Sequence, residues 1–125
     1  MKEVTSEKVI QIHDYLIEET GGNPGIRDSA TLYFLVDAIN READLFRKAA
    51  YALLLAERHP FWDGQKRTAF MLADGILREG GYGFDKKDIA EIIRVLVRIA
   101  QYTCPAGGEI EKIAQWVKKM AVRLG

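Results

Sequence analysis

Residues 59–68 bring together, within ten positions of the chain, several residue types that take part in catalysis and ligand binding. They combine a base, a carboxylate, a glycine and two cations: His59, Asp63, Gly64, Lys66 and Arg67. An imidazole can accept a proton from an attacking hydroxyl near neutral pH, and a carboxylate can hold a divalent cation. Apolar residues at helical spacing flank this stretch on both sides, so we expect it to connect two helices.

The second half of the stretch predicts an anion-binding helix start. Gly64 permits a positive φ or a close approach of backbone. The residues after it begin a helix, whose first N–H groups lack partners and lie at the positive end of the helix dipole. Lys66 and Arg67 are disfavoured in a first turn unless an anion offsets them. With His59 as base and Asp63 as metal ligand, the residues indicate transfer of a phosphoryl or nucleotidyl group.

Each of these residues also has a purely structural interpretation. His59 could close the preceding helix, and Asp63 could cap the following one. Lys66 and Arg67 could be solvated charges. We expect Phe61 to be core and to fix His59, and Trp62 to lie at the surface or rim. Two histidines with no cysteine nearby argue against a zinc site.

Helical periodicity covers almost the whole chain and predicts about six helices, with strand signals nearly absent. The first helix follows a Thr5 or Ser6 cap and ends at Gly21-Gly22, and its apolar face carries His13, which we expect to be buried and hydrogen-bonded. The further helices are predicted over 28–39 with Asp28 as cap, 42–58, 65–78, 86–100 after an Asp85 cap, and along a stripe from Ile110 to Leu124. The segment 82–84 is too short and too rich in glycine to predict a strand, and 103–108 is predicted as a turn.

Composition limits the class of protein. The 125 residues suffice for one domain, predicted here as all-α over 1–125. The 18 Lys and Arg residues balance 18 Asp and Glu residues, which argues against general nucleic-acid binding and against binding to an anionic membrane. The single cysteine, Cys104, excludes an internal disulfide and favours a cytoplasmic location. No apolar run is long enough for a signal peptide or a membrane span.

The 59–68 stretch resembles the signature of the Fic/Doc family, His-x-Phe-x-Asp/Glu-Gly/Ala-Asn-Gly/Lys-Arg. Six positions match it, and Thr68-Ala69 extend the match: His59, Phe61, Asp63, Gly64, Lys66 and Arg67. The Lys-Arg ending is similar to the death-on-curing (Doc) branch, because the adenylyl-transferring Fic branch usually has glycine at the position of Lys66 and a second arginine at that of Phe70. Further segments resemble Doc proteins, so that the resemblance covers nearly the whole chain: His13-Asp14, Gly21-Gly22, Gly25-Ile26-Arg27-Asp28, Gly81-Tyr82 and the closing segment 108–116.

The resemblance implies an all-helical fold with the motif between two central helices. It also implies a toxin of a toxin–antitoxin pair, a kinase that uses ATP and Mg²⁺ to phosphorylate a threonine of elongation factor Tu and so halts translation. A cognate antitoxin would dock a helical tail on it. Carried over residue by residue, His59 would be the general base, acting with Lys66 and Arg67, and Asp63 would hold Mg²⁺. The nucleotide and its phosphates would be bound by Gly64, Gln65, Lys66, Arg67 and Thr68.

Two features depart from the family pattern and keep two alternatives open. Gln65 stands where the motif has asparagine, and its extra methylene displaces the amide. Between Asp28 and His59 we find no alternating strand pair for the hairpin flap that such proteins use to clamp a target chain. One alternative is a Fic-type adenylyltransferase, which is favoured slightly by glycine rather than alanine at position 64. The other alternative is an inert binding module. The exposed or buried state of Tyr33, Phe34 and Trp116, which are candidates for an antitoxin groove or for the core, is left open by the sequence.

Overall fold

The computed structural model describes residues 3–85, 89–101 and 108–124 and confirms the predicted all-α class. The helices and strands follow one another in this order: α1 (Ser6–Thr20), α2 (Ser29–Arg41), α3 (Leu45–Leu53), α4 (Leu55–Arg58), α5 (Gln65–Glu79), β1 (Tyr82–Phe84), α6 (Ile89–Gln101), α7 (Gly108–Met120) and β2 (Ala121–Arg123). Since α3 and α4 are parts of one helical segment interrupted at Leu54, the expected number of about six helices also agrees with the described part of the chain.

Side-chain caps set the starts of the first helices. The Thr5 side chain accepts a hydrogen bond from the Lys8 N–H at 3.1 Å, which decides between the two predicted caps. Gly21, at φ 83°, ends α1. Asp28 caps α2 as predicted, and the Thr31 hydroxyl and N–H that donate to its carboxylate lower the pKa of Asp28.

The third helix differs from the sequence prediction at both its start and its middle. It begins at Leu45 rather than at residue 42, because the Asp44 side chain caps it by accepting from the Arg47 N–H at 2.9 Å. Glu42 lies in the connection between α2 and α3, where Arg47 donates to its carboxylate at 2.8 Å and lowers the pKa of Glu42. Leu54 then interrupts the helix between α3 and α4. Residues 29–58 contain no strand, as expected.

The prediction that 82–84 is not a strand is wrong. β1 pairs with β2 in antiparallel register, Gly83 opposite Val122, so the predicted stripe of the last helix stops at Met120 and does not continue through Ala121 to Leu124. Gly81, at φ 85°, turns the chain sharply after α5, and Phe84 is then buried against Phe70. A strand of three residues can form here because its partner arrives from the far end of the chain, which local periodicity does not show.

Some sequence predictions fall outside the described residues. The predicted turn over 103–108 and Cys104 lie there, apart from Gly108. Residues 86–88, where the predicted fifth helix begins, also lie outside the described part, so the cap predicted at Asp85 stays a prediction. No helix of the described ranges has the length and apolar character that crossing a membrane would need.

Helix α5 lies at the centre of the packing, in contact with α1, α3, α4 and β1. All five residues predicted to face inward from it are buried: Ala69, Leu72, Ala73, Ile76 and Leu77. They join one apolar core with residues of α2, α3, α4 and α7. The two helices that flank the chemically interesting stretch, α4 and α5, are therefore fixed to the core, and only the loop between them has to be held by other means.

Two glycines of α5 and its C-terminus provide a matched test of this packing. A methyl group at Gly75 would meet open space, so Gly75→Ala should raise the free energy of unfolding by about 0.5–1 kcal/mol. A methyl group at Gly80 would overlap the side chain of Leu45, so Gly80→Ala should lower it by about 1–3 kcal/mol. Urea denaturation of both variants checks this prediction, and effects of the same sign would contradict it.

Candidate active site

The loop of residues 59–64, which we call the site loop, begins and ends in a left-handed backbone conformation. His59 closes α4 at φ 52° and ψ 56°, and it is the one non-glycine residue with a positive φ in the described part of the chain. Gly64 precedes α5 at φ 78° and ψ 16°. A left-handed residue other than glycine persists only where its surroundings impose the conformation. The predicted role of His59 in closing the helix is therefore confirmed, and its exposed side chain remains free for chemistry.

The segment 23–28, which we call the brace, is hydrogen-bonded along the outer side of the site loop. The N–H groups of Arg27 and Asp28 both donate to the Pro60 carbonyl, at 2.8 and 3.0 Å. The Trp62 N–H donates to the Gly25 carbonyl at 3.3 Å, and an antiparallel bridge joins residues 26 and 61. The brace thus fixes the backbone of the loop at several successive positions.

The Arg27 side chain adds the contact that reaches His59 itself. Its Nε donates to the His59 carbonyl at 2.7 Å and its Nη2 to the Arg58 carbonyl at 3.3 Å. These carbonyls end α4 and have no partner within the helix, and a guanidinium suits the negative end of a helix dipole. Arg27 therefore contacts the site loop, and it does so through backbone carbonyls.

The inner side of the site loop is held through Phe61. Phe61 is buried, as predicted, and its ring stacks on the ring of His13 with centroids 3.7 Å apart and planes 7° from parallel. The buried Gln65 amide bonds to both backbone groups of Phe61: Oε1 accepts from the N–H at 3.1 Å, and Nε2 donates to the carbonyl. The extra methylene of Gln65 is what lets an amide on α5 reach Phe61, so this amide faces the interior and not the solvent side of the loop.

Asp63 is fixed at its carbonyl and at one carboxylate oxygen. The carbonyl accepts from His13 Nε2 at 2.7 Å, and Oδ2 accepts from the Asn23 N–H at 2.8 Å. The prediction that His13 is buried and hydrogen-bonded is confirmed. The structural interpretation of Asp63 as the cap of α5 is wrong, because Gly64 occupies that position and no side chain caps the helix. The carboxylate is exposed, with Oδ1 available to a cation.

The start of α5 carries unpaired donors and unpaired charge. Its first backbone bond runs from the Thr68 N–H to the Gly64 carbonyl at 3.0 Å, which leaves the N–H groups of Gln65, Lys66 and Arg67 without a backbone acceptor. Lys66 and Arg67 are exposed, and among the described residues neither has an ion-pair partner. Uncapped donors and two free cations at the positive end of a helix form an environment that favours an anion.

Thr68 and Trp62 differ from the other residues of the stretch. Thr68 is fully buried, its N–H is used within the helix, and its hydroxyl has no hydrogen-bond partner in the described structure. Neither the N–H nor the hydroxyl of Thr68 therefore belongs to the exposed, unpaired donors at the start of α5. Trp62 is 55% exposed and lies over Gly25, which agrees with a rim position.

Sequence reasoning missed the way in which the brace and Gln65 hold the loop. The sequence predicts Asp28 as the cap of α2, and the segment that contains Arg27 resembles Doc proteins, but no local pattern shows that Arg27 reaches backbone carbonyls of α4. For Gln65, one signal was available in the sequence. Its amide lies in the first turn of a predicted helix, four positions after Phe61, and an amide in such a place can bond to nearby backbone groups.

The comparisons with known proteins cover the part of the chain that forms this site. Residues 3–77 match the model of the Fic/DOC family, a span that contains the brace, the site loop and nearly all of α5. The chain belongs to the Fic/Doc family. Over 100 residues it is 31% identical to the protein named protein kinase doc of Escherichia phage P1, a match that spans 74% of this chain and 79% of that protein. Its similarity within the Fic/Doc family is thus to the Doc branch.

Because of the hydrogen bonds that Gln65 makes, we expect that restoring the asparagine of the family motif at this position destabilises the protein. Gln65→Asn shortens the side chain by one methylene, so that the amide no longer reaches both groups of Phe61. We expect the free energy of unfolding to fall by about 1–3 kcal/mol, the cost of leaving buried polar groups unsatisfied. Lys66→Ala at the next, exposed position is the control and should change it by less than about 0.5 kcal/mol. An equally stable Gln65→Asn variant in urea denaturation would contradict the role assigned to this amide.

Proposed function

We propose that this chain is a Doc-type toxin, a protein kinase that transfers the γ-phosphate of ATP to a threonine hydroxyl of elongation factor Tu and thereby blocks translation. The observation that carries the proposal is the arrangement on one loop of an exposed imidazole, an exposed carboxylate and an uncapped helix start with two unpaired cations. Membership of the Fic/Doc family and the similarity to a protein named as a kinase support it.

The residues present fit a Mg²⁺–ATP complex. Asp63, whose carboxylate is exposed on the site loop, would be the protein's own ligand for Mg²⁺. Mg²⁺ is commonly held in this way, with one or two carboxylates while phosphate oxygens and water complete the octahedron. When bound, the ion supplies neutralisation of the negative charge on the phosphates. The N–H groups at the start of α5, with Lys66 and Arg67, would bind the phosphate oxygens.

His59 has the role of general base in the proposed transfer. The hydroxyl oxygen of the target forms a bond to the γ-phosphorus, and the bond from that phosphorus to the β–γ bridging oxygen breaks. The hydroxyl proton passes to the imidazole of His59, and ADP leaves. Lys66 and Arg67 stabilise the charge that develops on the transferred group. Arg27 does not touch the reacting atoms and acts by fixing the carbonyl of His59.

The surroundings of Phe70 favour phosphate transfer over adenylyl transfer. The Fic branch usually has a second arginine at this position of α5. Here Phe70 stacks on Phe84, with ring centroids 5.3 Å apart, and is partly buried against the core. An apolar residue that packs in this way supplies no second cation for a nucleotide bound in the orientation that adenylyl transfer requires. The satisfied amide of Gln65 likewise speaks against an inert site, since it holds the loop.

We further propose a cognate antitoxin as partner and a cytoplasmic place of action. Tyr33 and Phe34 on α2 are 58% and 63% exposed, which makes them candidates for contact with an antitoxin helix. Trp116, the third candidate, packs with its ring 5.9 Å from that of Phe84 and belongs to the edge of the core.

Intact-mass spectrometry of elongation factor Tu, incubated with this protein, ATP and Mg²⁺, tests the proposed reaction. We expect a gain of one phosphate. His59→Ala should slow it by about 10²- to 10⁴-fold, the contribution usual for a general base. Lys66→Ala should also slow it, whereas Lys118→Ala, an exposed lysine of α7, is the matched control and should leave the rate unchanged.

The other outcomes separate the alternatives. A gain of one AMP in place of one phosphate would establish adenylyl transfer and overturn the kinase proposal. Expression that arrests growth equally in wild type and His59→Ala would overturn any role of the site loop in toxicity. If neither elongation factor Tu nor any protein of a cell extract gains mass in the presence of ATP and Mg²⁺, the chain is a binding module.

A further inference from the structure

His13 is a polar residue on the face of α1 that packs into the interior. The ring is fully buried, and Nδ1 has no hydrogen-bond partner, the nearest carboxylate oxygen of Asp14 being 3.8 Å away. Burying a polar ring with one nitrogen unpaired costs free energy. Among the residues that the structure describes, the one hydrogen-bond partner of the buried ring is the Asp63 carbonyl, to which Nε2 is bonded at 2.7 Å. A carbonyl only accepts, so Nε2 carries the hydrogen.

This bond determines which way the peptide between Asp63 and Gly64 faces. The described chain contains no cis peptide, and a planar trans peptide points its N–H opposite to its C=O. Because the Asp63 carbonyl points at His13, the Gly64 N–H points away from His13 and α1. It has no hydrogen-bond partner in the described structure. A left-handed residue followed by right-handed ones is the backbone pattern that turns successive N–H groups towards one anion.

The ring also limits what else the turn can do. A Cβ at Gly64 would lie 3.5 Å from Cδ2 of His13 and 3.3 Å from Cδ1 of Ile17, so the turn is packed directly on the imidazole. The other face of the loop is held at Asn23 and Pro60. With its carbonyl freed from His13, the Asp63–Gly64 peptide could rotate without disturbing either of those contacts.

We propose that His13 is a positioning residue whose Nε2–H holds the Asp63–Gly64 peptide in the orientation that offers the Gly64 N–H to a bound phosphate. That the anion is a phosphate of ATP rests on the proposed function, whereas the orientation of the peptide does not. His13 itself touches no reacting atom.

A pair of variants of nearly the same shape isolates this hydrogen bond. His13→Gln keeps a side-chain N–H at similar reach, His13→Met lacks it, and both lose the stacking on Phe61 equally. The ¹H–¹⁵N spectra of the free proteins report the Gly64 amide, and titration with Mg²⁺–ATP and with inorganic pyrophosphate reports anion affinity. We expect the Gly64 amide of His13→Met to shift and its affinity for both ligands to fall about tenfold, with His13→Gln within about threefold of wild type.

Equal affinities and equal Gly64 shifts in the Gln and Met variants would overturn the proposal. If neither ligand binds the wild type, the proposed function fails, and the Gly64 shifts in the free proteins still decide the orientation. If both variants unfold, His13→Phe takes their place, because it keeps the stacked ring and lacks the donor. An unchanged Gly64 amide in that variant would overturn the proposal as well.

Discussion

The six residues of the site loop have to keep an irregular backbone shape, and the rest of the site depends on this constraint. His59 and Gly64 are both left-handed, a conformation that residues other than glycine adopt uncommonly. The conformation is imposed from two sides. Outside, the brace donates to the carbonyls of His59 and Pro60. Inside, Gln65 and His13 bond to the backbone of Phe61 and Asp63. The groups held are backbone groups and one carboxylate oxygen of Asp63, so the His59 imidazole and the other Asp63 oxygen stay available for chemistry.

The core supplies the rigid frame from which these contacts act. α1 carries His13, α5 carries Gln65, and both helices pack against each other in the interior. The residues that hold the loop are therefore themselves fixed by burial, which is what keeps a catalytic group in place. The start of α5 is not held in this way, since no side chain caps the helix and, among the described residues, Lys66 and Arg67 have no ion-pair partner. This arrangement leaves the local electrostatics to be completed by a ligand.

The helices could be predicted from the sequence because their ends and apolar faces depend on local patterns, and the candidate site residues stand out in it by their types and spacing. Thr5, Asp28, Gly21 and the Gly80-Gly81 pair mark helix ends through their own backbone and side-chain chemistry. The β1–β2 pair could not be predicted, since it joins segments from distant parts of the chain. For the same reason the sequence did not show that Arg27 meets the end of α4, or that the amide of Gln65 bonds to the backbone of Phe61.

A crystal structure of the His59→Ala variant with Mg²⁺ and an ATP analogue that cannot be hydrolysed tests the central claim most directly. The claim is that the site loop and the start of α5 form a phosphate site built around a preset backbone. We expect the terminal phosphates to lie against the N–H groups of residues 64–67, the ion to bind Asp63, and the bonds from His13 and Gln65 to the loop to be unchanged. A nucleotide bound elsewhere, or a site loop that has to rearrange to receive it, would contradict the account.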